Sequence, residues 1–473
     1  MTALSAQKQK LFDEWLTGAF PIAGRERTAI PTRESGSFAP LSLAQEQIWI
    51  RSTRESENSA SYIETISIHG NRPVDVATME RAFTEIVRRH EAWRTSFELI
   101  NGRPVQFVHA APSAIVIPVV DLTGNVPAAR NAPPRDLLTA EVQKPMDLKV
   151  GPLVRPTLLY TDERNFILLV AVHQIVVDGI SAYRVFPGEL AALYHAFLVG
   201  APSPLSELPM QFSDFSAWQL EWLRGPARER QIEYWKQKFK SVRLGESWPD
   251  RGKCSDGQTF EREVFPFVVP RQIFDGVQHV SRTEGATVFM VLLAVFALLV
   301  RGISGVDEVL IGTLSSAGRK IPECEGLLGY FLNPVALNFE LPEAIPFREV
   351  LAQARDLVFG AISNDDIPFE ELEKELGWHG SKGTCLRTAI SLQPESVALP
   401  KGWRVTTMDA SLSWSRWDFY VAFVHSESGL EGRAEFDPRI MDKPEARATV
   451  NRFLELAGKL TCNGQRSAGR VPR

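Results

Sequence analysis

Apolar and polar positions alternate along the first half of the chain in two patterns, one with the two-residue period of a strand and one with the period of a helix. Strand-like segments are 61–69, 93–99, 104–109, 115–120, 152–160 and 166–173, and helix-like segments are 44–49, 74–90, 135–142 and 180–199. Asn101-Gly102 is a typical hairpin turn between two of these strands. Strands that alternate with helices predict an α/β fold with a layered sheet.

A second series of elements follows a proline-rich break at 202–209. Its predicted helices are 212–240, 286–301, 347–362, 369–376 and 443–460, and its predicted strands are 260–269, 309–312, 387–393, 403–408, 419–425 and 429–436. This half therefore predicts a second α/β layer of similar size.

The two ends of the chain differ from its middle. Residues 4–20 have the apolar spacing of a short amphipathic helix, which either packs on the main body or docks a partner. A linker rich in Pro, Gly, Ser and Arg follows it, and the last residues are polar and basic. We expect four parts, namely an N-terminal helix and linker (1–40), an N-terminal lobe (41–220), a C-terminal lobe (221–462) and a disordered tail (463–473).

Composition adds few constraints. The chain has 473 residues and a net charge of −5, which gives no reason to expect a nucleic acid or a membrane surface as partner. The longest apolar run, 288–300, is shorter than the roughly 20 residues that cross a bilayer, so it predicts a buried helix. Four scattered cysteines without a CxxC pair argue against a structural zinc site and suit a reducing compartment. We expect a soluble, cytoplasmic monomer that holds no metal.

The segment 171–179 is the first candidate for chemistry, because it closes a strand-like run and opens a helix-like one. Polar groups at such a point are aimed into a crevice by rigid elements. The candidate site residues in this segment are His173, Gln174, Asp178 and Gly179.

Five further segments accompany this one in a defined order. The six segments are LSLAQEQIW at 41–49, RHEAWRTSF at 89–97, HQIVVDG at 173–179, FSDFSAWQ at 212–219, IGT, AGR and LGYFLN between 311 and 333, and DIPFE at 366–370. They resemble the motifs SxAQxRLW, RHExLRTxF, HHxxxDG, YxDFAxWQ, IGxPxAGR with LIGxFVN, and HQDxPFE. These motifs are those of the condensation domains of nonribosomal peptide synthetases. The resemblance covers about residues 38–462, nearly the whole chain.

The resemblance implies the chloramphenicol-acetyltransferase-like fold of CoA-dependent acyltransferases, with two pseudo-symmetric α/β lobes in a V around a central substrate channel. A carrier protein would deliver an acyl thioester on its 4'-phosphopantetheine arm from one face, and an amine or alcohol acceptor would enter from the other. No bound cofactor is implied. The chain contains no adenylation or carrier segment, so we expect a carrier protein that acts in trans.

The chain departs from the family pattern at Gln174, where the resemblance implies a histidine that acts as a base or positions the amine. A carboxamide accepts and donates hydrogen bonds but has no useful basicity near neutral pH. Adjacent residues of a strand point to opposite faces. If Gln174 faces the channel, His173 is therefore expected to face the interior as a core histidine, unless a backbone shift turns it towards the channel.

Further residues take their expected roles from the resemblance. Asp178 is expected to pair with Arg319 and to shape the site, and Arg94 is a second candidate for its structural support. Gly179 is expected to give the turn backbone freedom and to let substrate approach closely. The candidates for the channel lining are Ser316, Asn333 and Trp414.

Three functions remain open. The first is a condensation enzyme that forms an amide or an ester, which the nearly complete set of motifs favours. The second is a condensation-like module that binds carrier proteins or recruits tailoring enzymes. The substituted Gln174 favours it, and so does Asn364-Asp365, which stands in the place of the His-Gln of the motif HQDxPFE. The third is an acyltransferase that uses soluble CoA thioesters.

Overall fold

The fold is known from a computed structural model. It describes residues 30–33, 38–54, 62–71, 73–123, 140–141, 144–242, 248, 260–378, 386–406, 412–415, 417–426 and 429–462. The predicted helix at 4–20, most of the predicted linker, most of the helix predicted at 135–142 and the tail 463–473 lie outside the described residues.

The described residues form fifteen strands and ten α-helices. The strands are β1 (Phe38–Pro40), β2 (Ile63–Asn71), β3 (Thr95–Ile100), β4 (Arg103–Val108), β5 (Val119–Asp121), β6 (Val154–Tyr160), β7 (Asn165–His173), β8 (Phe260–Val269), β9 (Glu308–Ser315), β10 (Asn333–Glu340), β11 (Thr388–Leu392), β12 (Arg404–Thr406), β13 (Leu412–Ser415), β14 (Phe419–Ser426) and β15 (Gly429–Phe436). The helices are α1 (Leu43–Arg54), α2 (Val76–Arg89), α3 (Phe186–Leu198), α4 (Phe212–Trp222), α5 (Pro226–Lys238), α6 (Arg271–Glu284), α7 (Val288–Ser304), α8 (Phe347–Ile362), α9 (Phe369–Glu375) and α10 (Lys443–Cys462).

A five-stranded sheet in the order β12-β2-β7-β6-β5 forms the centre of the N-terminal lobe. β6 and β7 pair antiparallel, as their short connection at 161–164 predicts, and the apolar residues of β7 are buried on both faces. The strand predicted at 115–120 is wrong in its bounds, because only Val119–Asp121 pairs with β6. The helices α2 and α3 pack against each other in this lobe.

A separate three-stranded sheet in the order β1-β4-β3 lies beside it. The predicted hairpin between β3 and β4 is confirmed. Asn101 and Gly102 form its turn with φ values of 51° and 76°, the left-handed conformation that a two-residue hairpin requires.

A seven-stranded sheet in the order β10-β9-β11-β14-β15-β8-β13 forms the centre of the C-terminal lobe. The apolar helix α7 is buried and packs against α6, α8 and α10, so the prediction of a core helix at 288–300 is confirmed. β10 and β13 were not predicted from the sequence, and β10 pairs antiparallel with β9 along its whole length.

Two predicted helices are divided. The segment 212–240 forms α4 and α5, because Gly225 and Pro226 interrupt it. The segment 180–199 begins with a short π-helical turn, Ser181–Val185, and continues as α3. Ser42 caps α1, since its hydroxyl oxygen accepts the N–H of Gln45 at 3.2 Å.

Two segments from the second half of the chain reach the N-terminal lobe. The strand β12, predicted as part of the second layer, instead pairs antiparallel with β2 at the edge of the five-stranded sheet. Residues 324–331 pack into the apolar core of the N-terminal lobe. There the N–H of Leu328 donates to Nδ1 of His90 at 3.2 Å. Two segments from the second half of the chain are therefore built into the N-terminal lobe and tie the lobes together.

No single helix in the described part of the chain is long and apolar enough to cross a membrane. The pair α6 and α7 reaches the required length and hydropathy only when the two helices are taken together, and they are bent by 108°.

Candidate functional site

The strand β7 carries the segment 173–179 to the junction of the lobes. It ends at His173, and Gln174–Val176 form one turn of 3₁₀-helix. The side chain of Gln45 in α1 donates to the carbonyl oxygen of Ile175 at 3.0 Å and fixes this turn. The bond gives the glutamine of the opening motif a physical role in shaping the central one.

His173 is a buried histidine of the protein interior. Its side chain is 1% exposed, and Nδ1 accepts the N–H of Ile175 at 3.2 Å. The ring of Tyr62 is nearly parallel to the imidazole, with 6.1 Å between the ring centroids. Burial lowers the pKa of His173 to about 3. The imidazole is therefore neutral and enclosed, and the expected interior orientation is confirmed.

This burial predicts a loss of stability in mild acid. Because the folded-state pKa of His173 lies below that of an exposed histidine, the unfolded chain binds the proton first as the pH falls below about 6.5. Between pH 7 and pH 5 the free energy of unfolding should fall by about 2 kcal/mol more in the wild type than in His173→Asn. Urea denaturation at the two pH values measures this difference. His279→Gln, which changes an exposed histidine, should behave as the wild type, and a His173→Asn variant with the same acid loss would contradict the assignment.

Asp178 and Arg319 form a buried ion pair. Nη2 of Arg319 lies 2.8 Å from Oδ1 of Asp178, and Nε lies 3.1 Å from Oδ2, so the contact is bidentate. The side chains are 0% and 1% exposed for Asp178 and Arg319. The N–H of Ser181 adds a bond of 2.7 Å to Oδ1. The expected pairing of these residues is confirmed.

The remaining donors of Arg319 hold the segment that crosses between the lobes. Nη1 donates to the carbonyl oxygens of Cys324 and Leu327 at 2.9 and 2.6 Å. Nη2 donates to Oγ of Ser181 at 2.8 Å, and the guanidinium lies over the ring of Phe331 at 4.2 Å from its centroid. One side chain thus ties the central segment of one lobe to the backbone of the other.

Gly179 allows a close approach of the two lobes. A Cβ atom at this position would lie 3.0 Å from Oε1 of Gln393 and 3.5 Å from Cδ of Pro394. The expected need for backbone freedom is wrong, because Gly179 does not have a positive φ. The missing side chain makes room for Gln393 instead.

Two adjoining cavities lie beside the segment 173–180. The smaller one, of about 200 Å³, is lined by Gln174, Asp178 and Gly179 together with residues of the seven-stranded sheet. The larger one, of about 690 Å³, extends from Ile180 into the C-terminal lobe. Both cavities have Leu314 and Gln393 in their walls. Gln174 therefore faces a passage between the lobes, on the side opposite to His173.

The family model for condensation domains matches residues 36–469. The chain belongs to the condensation domain family.

Named relatives agree with this assignment. The chain is 32% identical over 433 residues to chondramide synthase cmdD of Chondromyces crocatus, in a match that covers 90% of the chain and 11% of that synthase. It is 30% identical over 441 residues to gramicidin S synthase 2 of Brevibacillus brevis, in a match that covers 92% of the chain and 10% of that synthase. The chain thus spans a small part of the length of these relatives.

Solved structures agree as well. The first condensation domain of the calcium-dependent antibiotic synthetase superposes with a TM-score of 0.78 at 20% identity, over 92% of this chain and 99% of that one. The X-domain in its complex with OxyB from teicoplanin biosynthesis superposes with a TM-score of 0.75 at 21% identity, over 93% of this chain and 97% of that one. At these identities the likeness concerns the fold, and the predicted fold class is confirmed.

The other predicted site residues of this condensation domain lie in different places. Ser316 lines the larger cavity. The amide of Asn333 instead donates to the carbonyl oxygens of Asp365 and Ile367 at 2.6 and 2.7 Å, so it fastens β10 to the loop between α8 and α9. The side chain of Trp414 lies outside the described residues, although its backbone belongs to β13.

Arg94, the second residue expected to support the site, lies away from it. Its Nη1 donates to the carbonyl oxygen of His109, and its guanidinium lies 3.5 Å from the carboxyl of Glu91. These contacts fix the start of β3 within the three-stranded sheet. Within the described residues, the hydrogen bonds of Arg94 do not reach the segment 173–179.

Several polar residues of the smaller cavity were not predicted from the sequence. They are Glu64 of β2, Tyr420 of β14, and Arg433 and Glu435 of β15. Arg433 and Glu435 form an ion pair with each other, and the hydroxyl of Tyr420 lies 2.6 Å from Oγ of Ser391. Their own strands gave no distinct signal, because polar residues alternate with apolar ones along β2 and β15 as in an ordinary half-buried strand. Among the described residues, no group of three or more His, Cys, Asp or Glu side chains is placed to hold a metal ion.

Proposed function

We propose that this condensation domain joins a carrier-bound acyl or aminoacyl thioester to an amine or a hydroxyl group, as an acyltransferase of nonribosomal peptide or hybrid polyketide biosynthesis. Condensation domains are acyltransferases that form amide bonds. The observation that carries the proposal is the pair of adjoining cavities that share Leu314 and Gln393, with Gln174 and Gly179 in the wall of the smaller one. This arrangement provides separate approaches for two substrates that must meet at one point.

The main contribution of such a site is positioning. Holding a thioester carbonyl carbon and a nucleophile in near-attack geometry removes much of the entropic barrier to their reaction. The buried pair of Asp178 and Arg319 keeps the two lobes and the segment 173–179 in register. The carboxamide of Gln174 can accept a hydrogen bond from the nucleophile in the passage.

Condensation domains of nonribosomal peptide synthetases act on substrates tethered to the phosphopantetheine of carrier proteins. A carrier protein supplied in trans is accordingly the proposed partner of this chain, and the arm is part of the substrate. The larger cavity, of about 690 Å³, has room for such an arm and its acyl group.

The proposal is tested with phosphopantetheinylated carrier proteins loaded with a panel of acyl and aminoacyl groups, to which amines and alcohols are offered. The wild type should form product, and mass spectrometry detects it. Gln174→Ala should reduce turnover by about tenfold or more, because a neutral hydrogen bond to the nucleophile is lost. Gln174→His should retain or increase turnover. Gln237→Ala, on the exposed face of α5, is the matched control.

A recruiting module without bond formation is the second candidate, and the missing histidine at Gln174 favours it. It predicts a different result in the same assay. The wild type would bind loaded carriers and give no product, whereas Gln174→His would give product.

A further inference from the structure

A carboxyl group that no motif predicts lies beside Gln174. Glu64 pairs in register with Val172, two residues before Gln174, across β2 and β7. Tyr62 immediately precedes β2, and Gln174 immediately follows β7. Tyr62, Glu64 and Gln174 all line the smaller cavity. Because Glu64 lies opposite Val172 and Gln174 follows two residues later, the carboxyl of Glu64 and the carboxamide of Gln174 face one cavity.

The carboxyl of Glu64 is open to the cavity and yet surrounded by protein. Its side chain is exposed to water in the cavity, although protein atoms enclose the cavity on several sides. Desolvation by the surrounding protein raises the pKa of Glu64, Arg433 opposes this rise, and the nearby carboxylate of Glu435 adds to it. A carboxyl group whose pKa is raised is a stronger base once it is ionised.

The other carboxyl groups of the smaller cavity are already engaged. Among the described residues these are Asp178 and Glu435. Asp178 is fully buried in its bidentate contact with Arg319. Glu435 is 2% exposed and forms an ion pair with Arg433. Protonating either one would break a buried ion pair, so neither is suited to accept a proton in each cycle.

The cavity's remaining ionisable groups do not serve as bases either. Arg51 forms an ion pair with Glu370 of the other lobe and remains a cation. The phenols that line the cavity belong to Tyr62, Tyr183, Tyr330 and Tyr420. Phenols are protonated near neutral pH and act there chiefly as hydrogen-bond donors. His173 is sealed behind the cavity wall.

We propose that Glu64 accepts the proton of the nucleophile during condensation, in the role that a histidine at position 174 would fill. This assignment rests on the proposed function. The amine nitrogen attacks the thioester carbonyl carbon, the C–N bond forms and the C–S bond breaks. The nitrogen's proton passes to the carboxylate of Glu64, and the electrons of the C–S bond leave with the phosphopantetheine sulfur. The proton on Glu64 then passes to the thiolate, directly or through water, and Glu64 returns to its ionised form.

The test compares the wild type with Glu64→Gln, which keeps the shape of the side chain and removes its basicity. With the loaded carrier and acceptor that the wild type uses, kcat should fall by about 10²-fold or more while KM stays within a few-fold. In the wild type, kcat/KM should fall at low pH with a midpoint above the ordinary pKa of a carboxyl group. Glu64→Gln should lose this fall. Glu98→Gln, on an exposed part of β3, should leave rate and profile unchanged.

A second substitution separates proton transfer from a structural role. The double variant Glu64→Gln/Gln174→His supplies an imidazole at the neighbouring position, and it should recover activity with an acid limb near the ordinary imidazole pKa. If the wild type forms product and Glu64→Gln has the same rate and pH profile, the assignment of Glu64 is overturned, whereas the proposed function stands. Loss of activity in Glu64→Gln without recovery in the double variant would also overturn the assignment. A wild type that forms no product overturns the proposed function, and this assignment with it.

Discussion

Replacement of Asp178 by alanine is expected to lower the free energy of unfolding by about 3–5 kcal/mol and to abolish product formation. The substitution leaves the guanidinium of Arg319, 1% exposed, without its counter-charge. It also removes the acceptor of the Ser181 N–H, which lies 2.7 Å from Oδ1. The loss therefore combines an uncompensated buried charge with an unsatisfied donor. Urea denaturation measures the stability, and the carrier-loaded assay measures the activity.

A double-mutant cycle assigns this effect to the ion pair. The double variant Asp178→Leu/Arg319→Met replaces both charges by apolar groups and should regain part of the stability lost in either single variant, but not the activity. Asp275→Ala breaks an exposed ion pair with Arg271 in α6 and should cost less than about 1 kcal/mol. An Asp178→Ala variant as stable as Asp275→Ala would show that the pair does not hold the lobes together.

Replacement of Lys320 by methionine should have an effect of similar size, about 3–5 kcal/mol. Lys320 forms a buried ion pair with Asp365, and the carboxyl of Asp365 also accepts a hydrogen bond from Ser315. Burial raises the pKa of Asp365, and Lys320 opposes this rise. Without the ammonium group, the folded protein must bury either an unpaired carboxylate or a protonated carboxyl.

The destabilisation by Lys320→Met should depend on pH. Removing the cation raises the folded-state pKa of Asp365 further, so the folded chain binds the proton more tightly than the unfolded chain does. The stability deficit is then small near pH 4 and grows as the pH rises. Denaturation series at pH 5 and pH 8 check this sign. Arg224→Met, which breaks an exposed pair with Glu221, should cost little at either pH. A Lys320→Met deficit that is equal at both pH values would contradict the ionised state of Asp365.

The sequence predicted the elements with a strong internal period. The helix at 347–362 and the strand at 260–269 are found with the predicted bounds, because their apolar positions face one continuous core. β12 was assigned to the wrong sheet, since a three-residue strand carries no signal of its partner. β10 was missed because its partner β9 and the packing of the lobe, rather than its own alternation, stabilise it.

The candidate site was predicted as far as its motifs extend. The pairing of Asp178 with Arg319 and the lining role of Gln174 follow from two segments far apart in the chain, and only the resemblance connected them. Glu64 was missed because its importance depends on which strand lies beside β7. The alternation along β2 assigns Glu64 to a face of the strand, but the register of the strand pairing decides which groups it meets.

The strand β12 limits how the two lobes can move. Arg404–Thr406 extend from the second half of the chain and pair with Ser67–His69 of β2, the same strand that carries Glu64 at its other end. A hinge motion that widened the cleft would have to break the backbone pairing of β12 with β2 or carry β2 along with it. Glu64 would stay beside the end of β7 in either case, because β2 and β7 remain paired along the whole of β2. In mechanical terms, β12 is a tether across the cleft, and the strand pair that carries Glu64 and leads to Gln174 moves as one body.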